Sequence, residues 1–373
     1  MTHSSITLAD VIFSFLIVGQ NIQIFSDTYC VTSRPSLDFV ELKLSMIITG
    51  DIGGTNARLE LHSSDGLNSK SPPVYRRTYP TGNVSSFIGL ITQFIADSGC
   101  LEKVKIVVCG IPGDVVNNEV DAINIPHWGT IDGNAASSTL GIPTVVLLND
   151  FECAAYALNG LDTNDIDCVR PGTSASGSTK AMIGVGTGLG VAFATKCGDY
   201  VRPCASESGW IPLWEISEDD RELARNLRNS LGVDTISFEH VCAGPALVRL
   251  SEYLARETGV SVSYSSPSEI CAKYDDCHIA QQSVNLVLKF LGRFLSVISL
   301  TYKPTGGIYL TGGTMESLAP ILRLSRSFTE GLNSHRHPIL LNIAKNPSVY
   351  IIRKKDVGMW GAREFALSHG KSG

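Results

Sequence analysis

Two segments of this chain read as strand, glycine-rich turn, strand, and no other feature of the sequence restricts its fold as much. In the first, Met46-Ile47-Ile48-Thr49 runs through Gly50-Asp51-Ile52-Gly53-Gly54-Thr55-Asn56-Ala57-Arg58 into Leu59-Glu60-Leu61. The second, from Ala181 to Ala194, places Gly184, Gly186, Gly188 and Gly190 at alternate positions. Apolar alternation around such a turn predicts a hairpin. Two copies in 373 residues, a length above that at which a single core usually stops growing, predict two related lobes. Between them, Arg170 to Lys180 is rich in Ser, Thr and Gly and reads as a flexible surface loop.

The segments around the hairpins alternate between the two periodicities. Ser85 to Ser98 has helical spacing, with Phe87, Leu90, Ile91, Phe94 and Ile95 on one face. Val104 to Val108 reads as a buried strand ending at Cys109-Gly110-Ile111-Pro112-Gly113, and Pro143 to Leu148 as another ending at Asn149-Asp150. Helices are expected over Asp219–Leu231, Gly244–Thr258 and Ile279–Leu300, and a strand over Gly307–Thr311 that runs into Gly312-Gly313-Thr314. Strands alternating with helices predict an α/β fold with a mainly parallel sheet and ligands beyond the carboxyl ends of its strands.

Composition removes several function classes. The net charge of −6 comes with no Lys- or Arg-rich run, so nucleic acid is not an expected partner. An anionic substrate would have to be held by a local device such as backbone N–H groups. The ten cysteines contain no C-x-x-C pair and no Cys/His grouping at zinc spacing. They read as reduced cytosolic thiols, mostly in the core, and imply a cytoplasmic protein. Residues 1–45 read as an N-terminal extension expected to be disordered, with a weak targeting segment and a rarely used upstream start as the open alternatives. Their apolar run Val11–Val18 is too short to span a bilayer and lacks the basic flank of a secretory signal, so no membrane is expected as a partner.

The adjacent glycines of the first turn let backbone N–H groups face an anion unobstructed, although a tight hairpin with no ligand has the same pattern. Asp51, at a strand end, could position Mg²⁺, usually through water because that ion dehydrates reluctantly. In the second turn the dinucleotide fingerprint G-x-G-x-x-G fails, since counting from Gly184 puts Leu189 at the third glycine position. The P-loop pattern fails too, for want of a Lys followed by Ser or Thr at the required spacing. A pair of facing phosphate hairpins remains. Asp150, just past a buried strand, is also open to a plainer reading as an N-cap or turn residue. Taken alone, Glu239 reads as a solvated helix-face residue, and His335 and His337 read as surface residues with no third ligand near.

The two turns together with Gly312-Gly313-Thr314 resemble the two phosphate elements and the adenosine element of the sugar-kinase/actin/heat-shock ATPase superfamily. From Met46 to Leu367 the chain resembles the bacterial-type glucokinases in order and spacing. The resemblance is carried by Gly50–Arg58, Asn149-Asp150-Phe151, Gly186-Thr187-Gly188-Leu189-Gly190, Gly244-Pro245 and the tail Gly358-Met359-Trp360-Gly361-Ala362. It implies a two-lobed actin-like ATPase (ribonuclease H-like) α/β fold with the active site in the interlobe cleft. The small lobe would be residues 46–150 completed by a C-terminal helix within 353–373, and the large lobe residues 151–352.

The same resemblance implies ATP-dependent phosphorylation of glucose at the 6-hydroxyl, with Asp150 as general base. Asn124, Asn149, Asp150, Glu207 and Glu239 match the sugar-contacting positions. Gly50, Asp51, Ile52, Gly53, Gly54, Thr55, Asn56, Gly186, Thr187, Gly188, Gly312 and Gly313 match the ATP-binding ones, and Asp51 the position near Mg²⁺. Hexose, ATP and a possible second copy of the chain are the implied partners.

Two departures stand out. Where the family usually continues Gly-Gly-His after the glutamate, this chain has Ser208-Gly209-Trp210, and an indole cannot accept a hydrogen bond. Cys109-Gly110-Ile111-Pro112-Gly113 and Asn124-Ile125-Pro126-His127-Trp128 lean toward the related repressor/open-reading-frame/kinase family, whose cysteine-rich zinc motif is missing here. A kinase for another hexose or an amino sugar, a non-catalytic sugar sensor, and an ATPase with a protein partner are the alternatives.

Overall fold

The computed structural model of the chain describes residues 46–64, 68, 71–100, 104–173, 179–198 and 200–369; the expected N-terminal extension over 1–45 lies outside them. In chain order the first part comprises β1 (Met46–Ile52), β2 (Asn56–Ser63), β3 (Tyr75–Pro80), α1 (Phe87–Ser98), β4 (Val104–Ile111), β5 (Glu119–Asp121), β6 (Thr130–Asp132), α2 (Gly133–Leu140), β7 (Thr144–Asn149) and α3 (Asp150–Ala155). The second part contributes β8 (Ile166–Arg170), β9 (Thr179–Val185), β10 (Leu189–Cys197), β11 (Tyr200–Ser206), α4 (Glu218–Leu231), α5 (Phe238–Cys242), α6 (Gly244–Thr258), α7 (Pro267–Ala272) and α8 (His278–Tyr302). It continues with β12 (Ile308–Thr311), α9 (Gly313–Leu322), α10 (Arg326–Leu332), α11 (Pro338–Lys345), β13 (Val349–Ile352) and α12 (Val357–His369).

The repeat read from the hairpins extends to whole sheets. The first sheet has the order β3-β2-β1-β4-β7 and the second β11-β10-β9-β12-β13-β8. In each, an antiparallel three-stranded meander is followed by two strands added in parallel: β4 and β7 in the first, β12 and β13 in the second. The second sheet adds β8 antiparallel at its edge. Both sheets are therefore mixed, which corrects the expectation of a mainly parallel sheet. Short glycine turns can join only antiparallel neighbours, whereas a parallel pair needs a long crossover.

Local signals account for the helices that matter to the site. Ser86 caps α1 by accepting from the Gly89 N–H at 3.0 Å, and Gly99 ends it in the left-handed region. All five residues of its expected apolar face are buried against the first sheet. The longest helix, α8, is long and apolar enough to cross a membrane, yet it is the buried core helix of the second lobe. Its Arg293 pairs with Asp220 of α4 at 2.9 Å, with both side chains 2% exposed. The last helix, α12, returns to the first sheet. Its Ala362, Phe365 and Ala366 cluster with Ile47, Ile106, Val108 and Leu148.

Some expectations change. The surface loop expected over Arg170–Lys180 is shortened at both ends, because Arg170 closes β8 and Thr179 and Lys180 open β9. The cysteines are not mostly in the core. Among the described residues Cys109, Cys153 and Cys242 are buried, whereas Cys168, Cys197 and Cys204 are exposed, and none is in a disulfide. His335 is half-buried beside Trp214, with ring centroids 4.7 Å apart, and His337 caps α11.

Candidate active site

The first hairpin turns more sharply than its sequence suggests. Gly50, Asp51 and Ile52 belong to β1, Asn56 opens β2, and the turn proper is Gly53-Gly54-Thr55. This position of the strand, Gly50, takes glycine because a Cβ there would sit 2.6 Å from Cys109 Sγ and 2.7 Å from Leu59. The carbonyls of the turn are turned inward and held. Thr81, 1% exposed, donates from Oγ1 to the Gly54 carbonyl at 2.6 Å and from its N–H to the Thr55 carbonyl at 3.0 Å. Among the described residues nothing accepts from the Gly54 or Thr55 N–H, so both can serve an anion. Asn124 lies against this turn, 3.1 Å from where a Cβ of Gly54 would be.

Asp51 leaves β1 on the face that α12 covers. Its carboxylate takes a bond from Arg58 at 3.1 Å and lies against Gly358, where a Cβ would come within 3.0 Å of its Cγ. Burial raises its pKa above the ordinary carboxylate value, Arg58 pulls the other way, and Asp356 adds to the rise.

The second turn, Gly186-Thr187-Gly188, is clamped from three elements. Its Gly186 carbonyl accepts from the Gly244 N–H at the start of α6 at 2.7 Å and from Thr314 Oγ1 of α9 at 3.3 Å. The Leu189 N–H that follows the turn donates to Glu239 Oε2 of α5 at 3.0 Å. Gly312, at φ +105°, brings β12 within 2.5 Å of the Val185 carbonyl as measured from a hypothetical Cβ, a conformation that favours glycine. The outer glycines of the alternate series do something else. Gly184 and Gly190 face each other across the β9–β10 ladder, and a Cβ on either would fall 2.0 Å and 2.4 Å from ring carbons of Phe151. Together they form a slot for that ring.

Phe151 belongs to α3, a six-residue helix that bridges the two sheets. On its other flank, Cys153 packs against Gly110 of β4, and its carbonyl lies where a Cβ of Gly361 in α12 would be. Asn149 caps α3 by accepting from the Phe151 and Glu152 N–H groups at 2.9 and 3.0 Å, and its amide donates to the Gly113 carbonyl at 2.9 Å. Its oxygen is thus committed to the helix, leaving one amide N–H for a ligand. The cap is Asn149, and Asp150 is the first helical residue.

The Asp150 Oδ1 accepts from the Phe151 N–H at 2.8 Å, and no cationic side chain pairs with this carboxylate among the described residues. Burial pushes its pKa above the usual range, the Phe151 N–H opposes this, and the charges of Asp51 and Glu207 raise it further. A half-buried carboxylate without a cation is a competent proton acceptor. Glu207 is exposed and precedes the single turn Ser208–Trp210. Trp210 is 53% exposed and meets His240 edge-on, with centroids 5.6 Å apart. His240 Nδ1 accepts from the Ser237 N–H at 3.0 Å, which leaves the ring's neutral form protonated at Nε2.

A cleft of about 780 Å³ opens beyond the second turn, lined in part by Gly186, Thr187, Gly244, Pro245, Gly313 and Thr314. The apolar surface of Pro245, Val248 and Pro267 together with the hydroxyls of this wall suits a nucleoside. No group of three His, Cys, Asp or Glu side chains that could cage a metal exists among the described residues. Arg58 engages only Oδ2 of the half-buried Asp51, so the other carboxylate oxygen fits a water of Mg²⁺, an ion that keeps several waters and takes its other ligands from phosphates.

Sequence reasoning missed Thr81, which lies in no motif, and the contacts made by Arg58, Thr314 and Phe151, which it reads only as members of their motifs. The Phe151 slot could have been suspected from the outer glycines, which no turn needs.

A family profile described as glucokinase matches residues 48–369. A glucokinase of Agrobacterium fabrum is 28% identical over 279 residues, covering 74% of this chain and 79% of that protein. Among solved structures, glucokinase from an Antarctic psychrotroph superposes with a TM-score of 0.73 at 22% identity, covering 87% of this chain and 99% of the other. Glucokinase from Balamuthia mandrillaris in complex with glucose gives a TM-score of 0.72 at 18% identity, covering 87% and 94%. Likeness at these identities establishes the two-lobed actin-like α/β fold.

Proposed function

The chain belongs to the glucokinase family, and from that premise we propose that it transfers the γ-phosphoryl group of ATP to the 6-hydroxyl of glucose. The observation that carries the reading is the position of Asp150: paired with no cation among the described residues, on a helix packed between Gly110 of the first sheet and the Gly184–Gly190 slot of the second, with its pKa raised. As the O6–P bond forms and the bond from phosphorus to the ADP oxygen breaks, Asp150 takes the hydroxyl proton. The free amides of both turns hold phosphate oxygens. Asp51 would hold Mg²⁺ through its water shell, and the ion would supply neutralisation of charge on the phosphates.

Sugar hydroxyls each donate and accept, so a closed site pairs them with carboxylates and amides. Asn124, the remaining Asn149 N–H, Glu207 and Glu239 are the proposed contacts. Glu239 would serve both the hairpin and the sugar, through its two oxygens. Gly50 and Ile52 act through the backbone of β1, since Ile52 is fully buried. Trp210 favours one second reading, a preference for another hexose or an amino sugar, because an indole offers only a donor and a ring face. The small lobe is taken as residues 46–150 with 353–373, supported by the packing of α12 on β1 and β4, and the large lobe as 151–352. The described cysteines, none of them in a disulfide, support a cytoplasmic setting, and the product would enter glycolysis. A homodimer is part of the same reading.

ADP release followed with glucose, mannose, fructose, glucosamine or no sugar tests this directly. Glucose-dependent release is expected, falling by a factor of about 10² to 10⁴ in Asp150→Asn. Sugar-independent release would point to an ATPase, and none with any sugar to a sensor.

A further inference from the structure

Arg249 stands in the wall of the nucleotide cleft without a role in the reading above. It lies in α6 with Val248 and Glu252, and Ser265 and Ser268 line the same cleft. Its Nη2 donates to the main-chain carbonyl of His240 in α5 at 3.0 Å, and it forms no ion pair among the described residues. Its Nε is buried without a partner. Burial disfavours its charge, and the nearby Glu239 and Glu252 compensate only in part. A half-buried guanidinium with one such donor unsatisfied is costly and gains when an acceptor binds in the cleft.

The residue is also a mechanical link. The helix it grips, α5, carries Glu239, and Glu239 holds the Leu189 N–H of the second hairpin. The helix it stands on, α6, begins at Gly244, which holds the Gly186 carbonyl on the other side of the same turn. We infer that Arg249 couples the two substrate sites: it donates to the bound nucleotide and, through the His240 carbonyl, fixes the helix that presents Glu239 to the sugar. The inference rests on the kinase reading, since it assigns the cleft to ATP and Glu239 to the hexose.

Coupling of this kind is reciprocal, so glucose must tighten the nucleotide by the factor that the nucleotide tightens glucose. The full chain is titrated with a non-hydrolysable ATP analogue and Mg²⁺, with and without saturating glucose. In the unmodified protein glucose is expected to tighten the analogue at least about five-fold. Arg249→Ala should weaken the analogue about ten-fold and bring the ratio with and without glucose to about one. Arg249→Lys keeps a charge in the cleft and recovers part of the affinity, but a single ammonium lacks the planar fork that serves two partners, so the ratio stays near one. If Arg249→Ala fails to fold, the lysine variant decides. A ratio of one in the unmodified protein, or a ratio that survives in the variants, overturns the inference. Glucose-dependent ADP release by the same unmodified preparation is scored separately: its absence sinks the kinase reading, while activity with an unchanged ratio sinks only the coupling.

Discussion

The two glycine hairpins occupy equivalent places in equivalent sheets, yet they are built differently. In the first, Gly50 faces Leu59 across the ladder, and its own lobe fills the space beside it with Cys109. In the second, Gly184 faces Gly190, and the space is filled by Phe151 from the helix that carries Asp150. The closing pairs differ as well, Ile52 with Ala57 in the first and Val185 with Leu189 in the second, so four residues, Asn56 included, lie between the closing pair of the first and three between that of the second. Both leave backbone N–H groups without a protein acceptor among the described residues, Gly54 and Thr55 in the first turn and Thr187 and Gly188 in the second. Only the second is keyed to the proposed base, so a shift of that hairpin would be felt at Asp150 through a side chain it directly encloses.

The difference can be broken most directly at the key itself. Phe151→Ala empties the slot and should cost about 3 kcal/mol of stability, with a fall in kcat larger than any rise in KM for ATP; denaturant melts and steady-state kinetics read both. Filling the slot from the other side should cost somewhat less. Gly184→Ala is expected to destabilise by about 1–3 kcal/mol, and Phe151→Leu in the same chain should recover part of that. The same second change should leave Gly50→Ala unrescued, because Cys109 and Leu59 are its obstacles. Equal rescue at both glycines would erase the distinction.

The clamps behind the two turns should differ by a smaller margin. Thr81→Val removes the half-buried 2.6 Å bond to the Gly54 carbonyl and should cost about 1–1.5 kcal/mol. Thr314→Val loses only a 3.3 Å bond to a carbonyl that Gly244 still serves, so it should cost less than about 1 kcal/mol. Thermal melts of the pair settle the order.

The smallest expected effect concerns pH. Because the pKa of Asp150 is raised on folding, its folded form holds a proton more tightly than its unfolded form. Its ionisation therefore costs stability above the folded pKa, and the cost fades as pH falls through it toward the unfolded value. Asp150→Asn should melt higher than the unmodified protein at neutral pH, with the gap closing on acidification. Turnover of the unmodified protein should fall over the same acidic limb as the base is protonated. A variant that melts lower at neutral pH would contradict the assignment of burial as the main cause.

How much of this was legible in the sequence depends on the range of the contacts. The apolar face of α1 was read in full because its spacing is a local property, and α6 was placed with both ends correct for the same reason, with Pro245 at its start and Gly259 at its end. The hairpins were found but their turns were drawn too wide, since nothing near Gly50 reveals that Cys109 stands over it. Asn124, Asp150, Glu207 and Glu239 were named by family resemblance alone. That Glu239 braces Leu189, and that the Asn149 oxygen is committed to capping α3, depends on side-chain partners that a linear pattern does not display. Thr81 lies between the two extremes: it is 27 residues from the carbonyl it holds and sits in no motif.

The return of α12 to the first sheet bears on how the protein is made. Arg363 reaches Glu60 across 303 residues of chain, Gly358 lies against Asp51, and Phe365 and Ala366 help cover the face that Ile47 and Val108 would otherwise show to water. During synthesis from the N-terminus that apolar face exists long before its cover does. The first lobe must wait on the ribosome half-dressed while the second lobe is translated, and the wall behind Asp51 is laid last. A nascent chain lacking these final turns would expose β1 and β4 and would be a natural client for a chaperone, however well its second lobe had already folded.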